Sequence, residues 1–300
     1  MVSIAAIGDN CIDVYTNLRQ GFPGGGALNF AVHARRAGAQ TAYVGVIGID
    51  AHGDWMADAL NAEGVETKYL QRVQGPTALA FVRLVDGERT FIGSDRGVRE
   101  QLRVAPEIDG YLAGFDWIHT TLDGRVDASI PAWHRAGRKI SYDFSHRAKP
   151  EQIALLPHIT VAFFSGQHSD PARASEELAA YQCLGARVVV MTFGENGSIA
   201  FDGAREYHQP ALRAQVVDTL GAGDAFQAGF IVEYLKTGAI DAALSAGAAR
   251  AAAVCEHYGA FGYAYAVDMT DPRVVRQTAD RGQPTANPST ARQKSSLRSG

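Results

Sequence analysis

Short apolar runs ending in Gly or Asp alternate along the chain with longer stretches of helical period. The runs Ser3–Ile7, Thr41–Val46, Trp117–Thr120, Lys139–Asp143, Thr160–Phe164 and Arg187–Thr192 predict buried strands. Helical spacing predicts helices over Leu28–Ala37, Trp55–Glu63, Ser129–Ala136 and Ala172–Gln182, and then over Ala225–Lys236 and Ile240–His257. Strands that are apolar on both faces and separated by helices belong in a mostly parallel sheet with helices on both sides. Such crossovers are right-handed almost without exception.

One stretch breaks this rhythm. Thr77–Leu84 and Arg89–Ile92 flank Asp86-Gly87 with no helix between them, which is a hairpin signal. Together with Val14–Thr16 they predict a small β-sheet projecting from the main one. From Asp271 onward Pro, Ser, Thr, Gln and Arg dominate without periodicity, so 271–300 is expected to be a disordered tail. No internal repeat is visible.

Composition narrows the class. The chain has 300 residues, 46% apolar and 20% charged, enough for a sizeable core without staples. Cys11, Cys183 and Cys255 are odd in number and far apart, which fits reduced thiols in a cytoplasmic protein. The apolar run Ile4–Ile7 stops too soon for a signal peptide, and no run approaches the ~18 apolar residues of a membrane helix. A net charge of −4 argues against nucleic acid as the main partner. A polyanionic ligand must therefore be held by local devices: backbone N–H groups, a metal or a few arginines.

The sharpest local feature is Asp218-Thr219-Leu220-Gly221-Ala222-Gly223-Asp224, followed at once by a helix. Small residues before a helix leave its first N–H groups free for an anion, and glycines let the backbone approach a phosphate closely. Asp224 is then out of place electrostatically unless a reaction needs a base there, as the acceptor hydroxyl of a phosphoryl transfer does. Taken alone, the residues equally allow Asp224 to be a helix cap and the glycines a simple turn. Asp13 and Asn29 suit vicinal hydroxyls, and equally suit a turn and a helix start.

The seven-residue string resembles the signature of the ribokinase-like (phosphofructokinase-B type) carbohydrate kinases. Gly24-Gly25-Gly26-Ala27-Leu28-Asn29-Phe30-Ala31, with Gly38 and Gly48 beyond it, resembles that family's N-terminal signature. Gly8-Asp9-Asn10-Cys11-Ile12-Asp13 resembles its first strand and substrate loop, and Thr192-Phe193-Gly194-Glu195-Asn196-Gly197 its nucleotide-pocket segment. The resemblance covers residues 1–268 as one ribokinase-like α/β domain, with a β-lid built from about 14–20 and 65–95. It implies Asp224 as the base and Gly221, Ala222 and Gly223 as the anion hole. It places Asp9, Asp13, Gly25, Gly26 and Asn29 on the sugar, and Thr192, Gly194, Gly197 and Thr219 along ATP. The implied cofactors are ATP and Mg²⁺, with a monovalent cation as a further family option. The implied partners are a small-molecule sugar and a second copy of the chain, paired through the lid.

One departure touches the metal. Where the family carries Asn-x-x-Glu, this chain has Ser165-Gly166-Gln167-His168, so the metal ligands stay unknown, with Asp170 or the ATP phosphates as substitutes. Within the family, Ile7–Asp13, Tyr142-Asp143-Phe144-Ser145 and His257–Gly262 look most like fructoselysine 6-kinases, which phosphorylate the 6-hydroxyl of a fructose joined to the ε-amine of lysine. Asp143 is read either as a substrate contact or as a local cap. Among Arg83, Glu88, Arg89, Asp95 and Arg96 of the flap, an arginine is expected to meet a substrate carboxylate. Other sugars, and a silent sugar- or nucleotide-binding protein on the same fold, are the alternatives. A dinucleotide-binding dehydrogenase is disfavoured, because no strand runs into Gly-x-Gly-x-x-Gly, and a Walker-type ATPase because no Gly-Lys pair occurs.

Overall fold

A computed structural model describes residues 1–85, 88–166 and 173–279. The strands in chain order are β1 Ser3–Ile7, β2 Cys11–Tyr15, β3 Gln20–Gly24, β4 Gln40–Gly48, β5 Leu70–Val73, β6 Leu79–Val85 and β7 Glu88–Asp95. They continue with β8 Trp117–Thr121, β9 Ile140–Ser145, β10 Val161–Ser165, β11 Val188–Thr192, β12 Ser198–Phe201, β13 Glu206–Gln209 and β14 Tyr265–Ala266. The helices are α1 Gly26–Arg36, α2 Ala51–Ala62, α3 Pro106–Leu112, α4 Ile130–Arg135 and α5 Pro150–Ile153. After them come α6 Ala174–Cys183, α7 Ala222–Thr237, α8 Ile240–Val254 and α9 Pro272–Ala279.

Nine strands form the main sheet in the order β13-β12-β11-β10-β9-β8-β1-β4-β5. Pairing is parallel from β11 across to β5, and β12 and β13 close one edge antiparallel. All six runs predicted as buried strands lie in this sheet. The alternation of side chains explains why these runs read as continuously apolar. In β1, Ile4 and Ala6 enter the core shared with Phe30, Phe230 and Leu244 of α1, α7 and α8. Ala5 and Ile7 enter the opposite core, with Ile118, Trp133 and Leu178. All four are fully buried. Among the described residues, no helix is long and apolar enough to cross a membrane.

The second sheet has five strands in the order β14-β3-β2-β6-β7. The predicted hairpin is its β6–β7 arm, paired antiparallel, while the turn residues Asp86 and Gly87 lie outside the described residues. Two expectations need correction. The stretch 65–75 does not join this sheet: β5 pairs parallel with β4, Gly45 opposite Leu70, and a bridge links Ala42 to Glu66. A short apolar run carries no mark of which sheet edge it will join. The expected tail is also not featureless from Asp271, because α9 follows it directly. Asp271 accepts the Arg273 N–H at 2.8 Å, Val274 is fully buried, and Arg273 donates to the Thr77 carbonyl at 2.8 Å. So short a helix, anchored by one buried valine, is too brief for periodicity to show it. Residues 280–300 lie outside the described residues.

Candidate active site

The loop before α7 is fixed by its first residue. Asp218 is buried, and its carboxylate accepts the Tyr15 hydroxyl from β2, the Gly259 N–H at 3.1 Å and the Leu220 N–H at 3.1 Å. Three donors from three parts of the chain hold the backbone still as it enters the helix. Gly221 follows with φ 79°, and a Cβ there would lie 2.5 Å from the Ala260 Cβ, so only glycine is tolerated. No side chain caps α7. The Ala222 N–H turns back to the Thr219 carbonyl at 3.3 Å, and a Cβ at Gly223, the next residue, would meet nothing within 4 Å. The helix therefore presents an open, positively polarised end with Asp224 in its first turn.

Facing it is a platform made where β3 runs into α1. Gly25 bends the chain at φ 109°, and a Cβ there would come within 2.4 Å of the Asn10 Cα. Asn29, one turn into α1, donates from Nδ2 to Asp224 Oδ2 at 2.7 Å. Its Oδ1 is buried with no hydrogen-bond partner. Asp224 Oδ1 lies 3.6 Å from where a Gly26 Cβ would stand. Asp13 in β2 is also buried, with the Cys11 Sγ 3.6 Å from its Oδ1. Its Oδ2 fills the space of a Gly24 side chain, 2.0 Å from the ideal Cβ. Asp13, Gly25, Gly26, Asn29 and Asp224 are thus brought together.

Asp9 has a different place. Its Oδ2 accepts the Gly26 N–H at 2.7 Å, and its Oδ1 accepts the Ala27 N–H at 3.2 Å and the Thr121 hydroxyl at 2.7 Å. The resemblance implies a sugar contact for Asp9; what the structure shows is a supporting role. The carboxylate caps α1 from beneath the platform, and three protein donors occupy its oxygens.

The site is acidic. Loss of water raises the Asp224 carboxyl well above the usual range, and the charges of Asp143, Asp9 and Asp13 push the same way against the Asn29 hydrogen bond. Burial likewise lifts Asp143 to about 6, with Asp9 adding to the rise while the Ser145 N–H, Gln227 and Arg147 oppose it. Of the two readings of Asp143, the local one has direct support, because its Oδ1 accepts the Ser145 N–H at 2.8 Å. Two histidines, His33 and His119, are buried. Burial pulls both His33 and His119 down to about 3, and His33 pins the Ala260 carbonyl at 2.9 Å behind Gly221. The run His257–Gly262 accordingly backs the anion loop, through Gly259 and Ala260.

The residues expected along the nucleotide lie farther along the main sheet. Thr192 closes β11, and Gly194 to Gly197 turn the chain into β12. Thr219 is exposed, and its carbonyl accepts the Ala222 N–H at 3.3 Å. Four strand steps separate β11 from β1, about 19 Å along the sheet at ~4.8 Å per step. That is long enough for a nucleotide and a sugar in line. Gly166 donates to the Thr192 carbonyl at 2.8 Å. Gln167, His168 and Asp170 lie outside the described residues. Among the described residues no three His, Cys, Asp or Glu side chains gather to hold a metal.

Reading the sequence alone missed three contributors. Thr121 and Tyr15 give no motif signal, since each matters only through a partner more than a hundred residues away. Asp218 stood inside the motif, but its anchoring role depends on Tyr15 and Gly259.

Comparison with known proteins agrees with this geometry. The profile of the "pfkB family carbohydrate kinase" matches residues 12–119 and 158–262. The chain is 36% identical over 276 residues to fructosamine kinase FrlD of Bacillus subtilis, covering 90% of this chain and 96% of that protein. It is 35% identical over 262 residues to fructoselysine 6-kinase of Escherichia coli, covering 87% of this chain and all (100%) of that one. Its fold superimposes on Arabidopsis thaliana ribokinase complexed with ribose and ATP, with a TM-score of 0.77 at 22% identity, over 92% of this chain and 98% of that one. The chain belongs to the pfkB family of carbohydrate kinases.

Proposed function

We propose that this protein transfers the γ-phosphoryl group of ATP to the primary 6-hydroxyl of a fructosamine, with fructoselysine as the type substrate. The observation that carries the reading is the Asn29–Asp224 hydrogen bond, which joins a polyol-binding platform to an uncapped helix end. The sugar ring lies on Gly25 and Gly26, with hydroxyls against Asp13 and Asn29. The unpartnered Asn29 Oδ1 is a ready acceptor for one of them. Asn29 Nδ2 holds the Asp224 carboxylate with one oxygen directed at the acceptor hydroxyl.

Asp224 takes the hydroxyl proton as that oxygen bonds to the γ-phosphorus. The bond from the γ-phosphorus to the bridging oxygen breaks, and ADP leaves. A carboxyl raised above its ordinary value is a better proton acceptor once ionised. The N–H groups at the start of α7, with Gly221, Ala222 and Gly223, face the charge on the transferring phosphoryl oxygens. Thr192, Gly194, Gly197 and Thr219 border the nucleotide. ATP enters as its magnesium complex. The donor set fits an ion held through phosphates and water, since no three-ligand protein site forms among the described residues.

The test is an ADP-release assay over fructoselysine, fructose, ribose and nucleosides. The fructosamine should exceed fructose in kcat/KM by about 1.4 kcal/mol or more, a factor of ten, if one additional charge-assisted contact forms. Equal or better use of fructose, ribose or a nucleoside rejects the fructosamine assignment. Absence of turnover on every sugar rejects the kinase itself.

A further inference from the structure

Five arginines stand in the loops directly after β7, β8 and β9: three already face carboxylates, and a fourth, Arg103, folds back on its own loop, donating to the Leu102 carbonyl at 2.8 Å and the Glu100 carbonyl at 3.2 Å. Arg96 and Arg125 both bind Glu100, and Arg147 binds Asp123. Arg99 is the exception. Among the described residues no carboxylate lies within ion-pair distance of it, and its hydrogen bond is a long one, Nη1 to the Asn10 carbonyl at 3.4 Å. The side chain is half-buried, and it is carried by a fixed element, the single-turn helix Gly97–Gln101. Asp95 accepts the Gly97 N–H at 2.9 Å, Val98 donates to the Pro76 carbonyl at 2.9 Å, and the Val98 side chain is buried.

Its position relative to the platform is set by Asn10. That residue packs on Gly25, where a Cβ would stand 2.4 Å from the Asn10 Cα, so the guanidinium lies one residue away from the sugar floor. The next residue, Cys11, contacts Asp13, and the positive charge of Arg99 is felt at both Cys11 and Tyr43. Asp9, Asp13, Asp143 and Asp224 make the surrounding wall negative. An anionic substrate group would be repelled from such a wall except where a cation stands ready. A guanidinium held in place with no carboxylate of its own provides such a position.

We propose that Arg99 is a specificity-determining residue that binds the carboxylate of an amino acid joined to the sugar, so that the preferred substrates are N-fructosyl amino acids. This rests on the kinase reading above and deepens it. The substrate's amine, protonated at neutral pH, is at home against the acidic wall, and its carboxylate pairs with Arg99. Flap residue Arg96, by contrast, is already engaged by Glu100. Arg83 sits within β6, paired across to Thr90, and the side chains of Glu88 and Arg89 lie outside the described residues. Asp95 serves to seat the helix that carries Arg99.

The test compares wild type, Arg99→Ala and Arg99→Lys on three synthetic fructosamines. These are fructose linked to the α-amine of glycine, to the ε-amine of lysine, and to propylamine, which has no carboxylate. Arg99→Ala should raise KM for a carboxylate-bearing compound by about tenfold or more with kcat within a few-fold, as expected for loss of one charge-assisted pair. Its effect on the propylamine compound should be at least tenfold smaller. Arg99→Lys, which keeps the charge without the fork, should fall between the two. A loss confined to the α-linked or to the ε-linked compound supports the proposal and tells which linkage brings the carboxylate to Arg99. Equal losses on all three compounds would mean that Arg99 merely tethers Asn10, and unchanged KM values would mean that it binds nothing; either overturns the proposal and leaves the kinase reading standing. Wild-type enzyme that turns over none of the three, yet phosphorylates fructose or ribose, removes the fructosamine reading and this proposal together.

Discussion

Two glycine-led helices meet at this site, and they handle the same local chemistry in opposite ways. Both α1 and α7 begin after a glycine N-cap, Gly25 and Gly221, and neither has a capping side chain at that position. The first N–H groups of a helix lack the intrahelical partner that later ones have. At α1 the need is met inside the protein, because Asp9 comes up from the end of β1 and takes the N–H groups of Gly26 and Ala27. At α7, among the described residues, no carboxylate from another element takes these groups. Asp218 turns its oxygens to Tyr15, Leu220 and Gly259 instead, and the helix end stays open beside Gly223. One terminus is thereby satisfied by a carboxylate, and on the function proposed above it is the platform for the polyol. The other has no side-chain cap, and on the same proposal it faces the phosphates. A helix N-terminus is a site only when the rest of the fold leaves it unfilled.

The largest effect expected from breaking this arrangement is at Asp224. Asp224→Asn should lower kcat by roughly 10²–10⁴-fold with little change in ATP affinity, measured by steady-state kinetics and nucleotide titration. Turnover near that of the wild type would remove the base from the mechanism. The same substitution should raise Tm at neutral pH. Asp224 titrates higher when folded than when unfolded, so its charge costs stability above the unfolded value of about 4. Below that pH both states are protonated and the advantage should vanish.

Next comes the filled terminus. Asp9→Ala removes three hydrogen bonds and leaves the α1 end uncapped, which should destabilise the fold by about 1–3 kcal/mol in urea denaturation. A midpoint equal to that of the wild type would show that α1 has no need of its internal carboxylate, and the contrast between the two helices would fail.

The smallest effect sharpens the open terminus. A side chain at Gly223 meets no protein atom within 4 Å, so Gly223→Val should fold with nearly normal Tm yet crowd the phosphate. We expect about a tenfold loss in kcat/KM for ATP and weaker ATP binding, consistent with removing close backbone approach to an anion. Unaltered kinetics would mean that the loop does not face the phosphates.

Much of this was legible without coordinates. Alternation of apolar runs with helical spacing is a short-range property, and it set out the parallel sheet, the covering helices and the β6–β7 hairpin. The Gly-Ala-Gly-Asp entry to α7 is equally local, because glycine conformation and an absent cap act within one turn. What only the tertiary structure decided are the pairings that span the chain. Asn29 meets Asp224 across 195 residues, Tyr15 meets Asp218 across 203, and Arg99 reaches Asn10 across 89. The same holds for Leu70–Val73 joining the main sheet, for α9 over the small one, and for Asp9 reaching the start of α1 as its cap. A side chain's local preference states which partners it could take. Which partner it takes depends on the strands and helices that become neighbours, and that is set by the burial of the whole core.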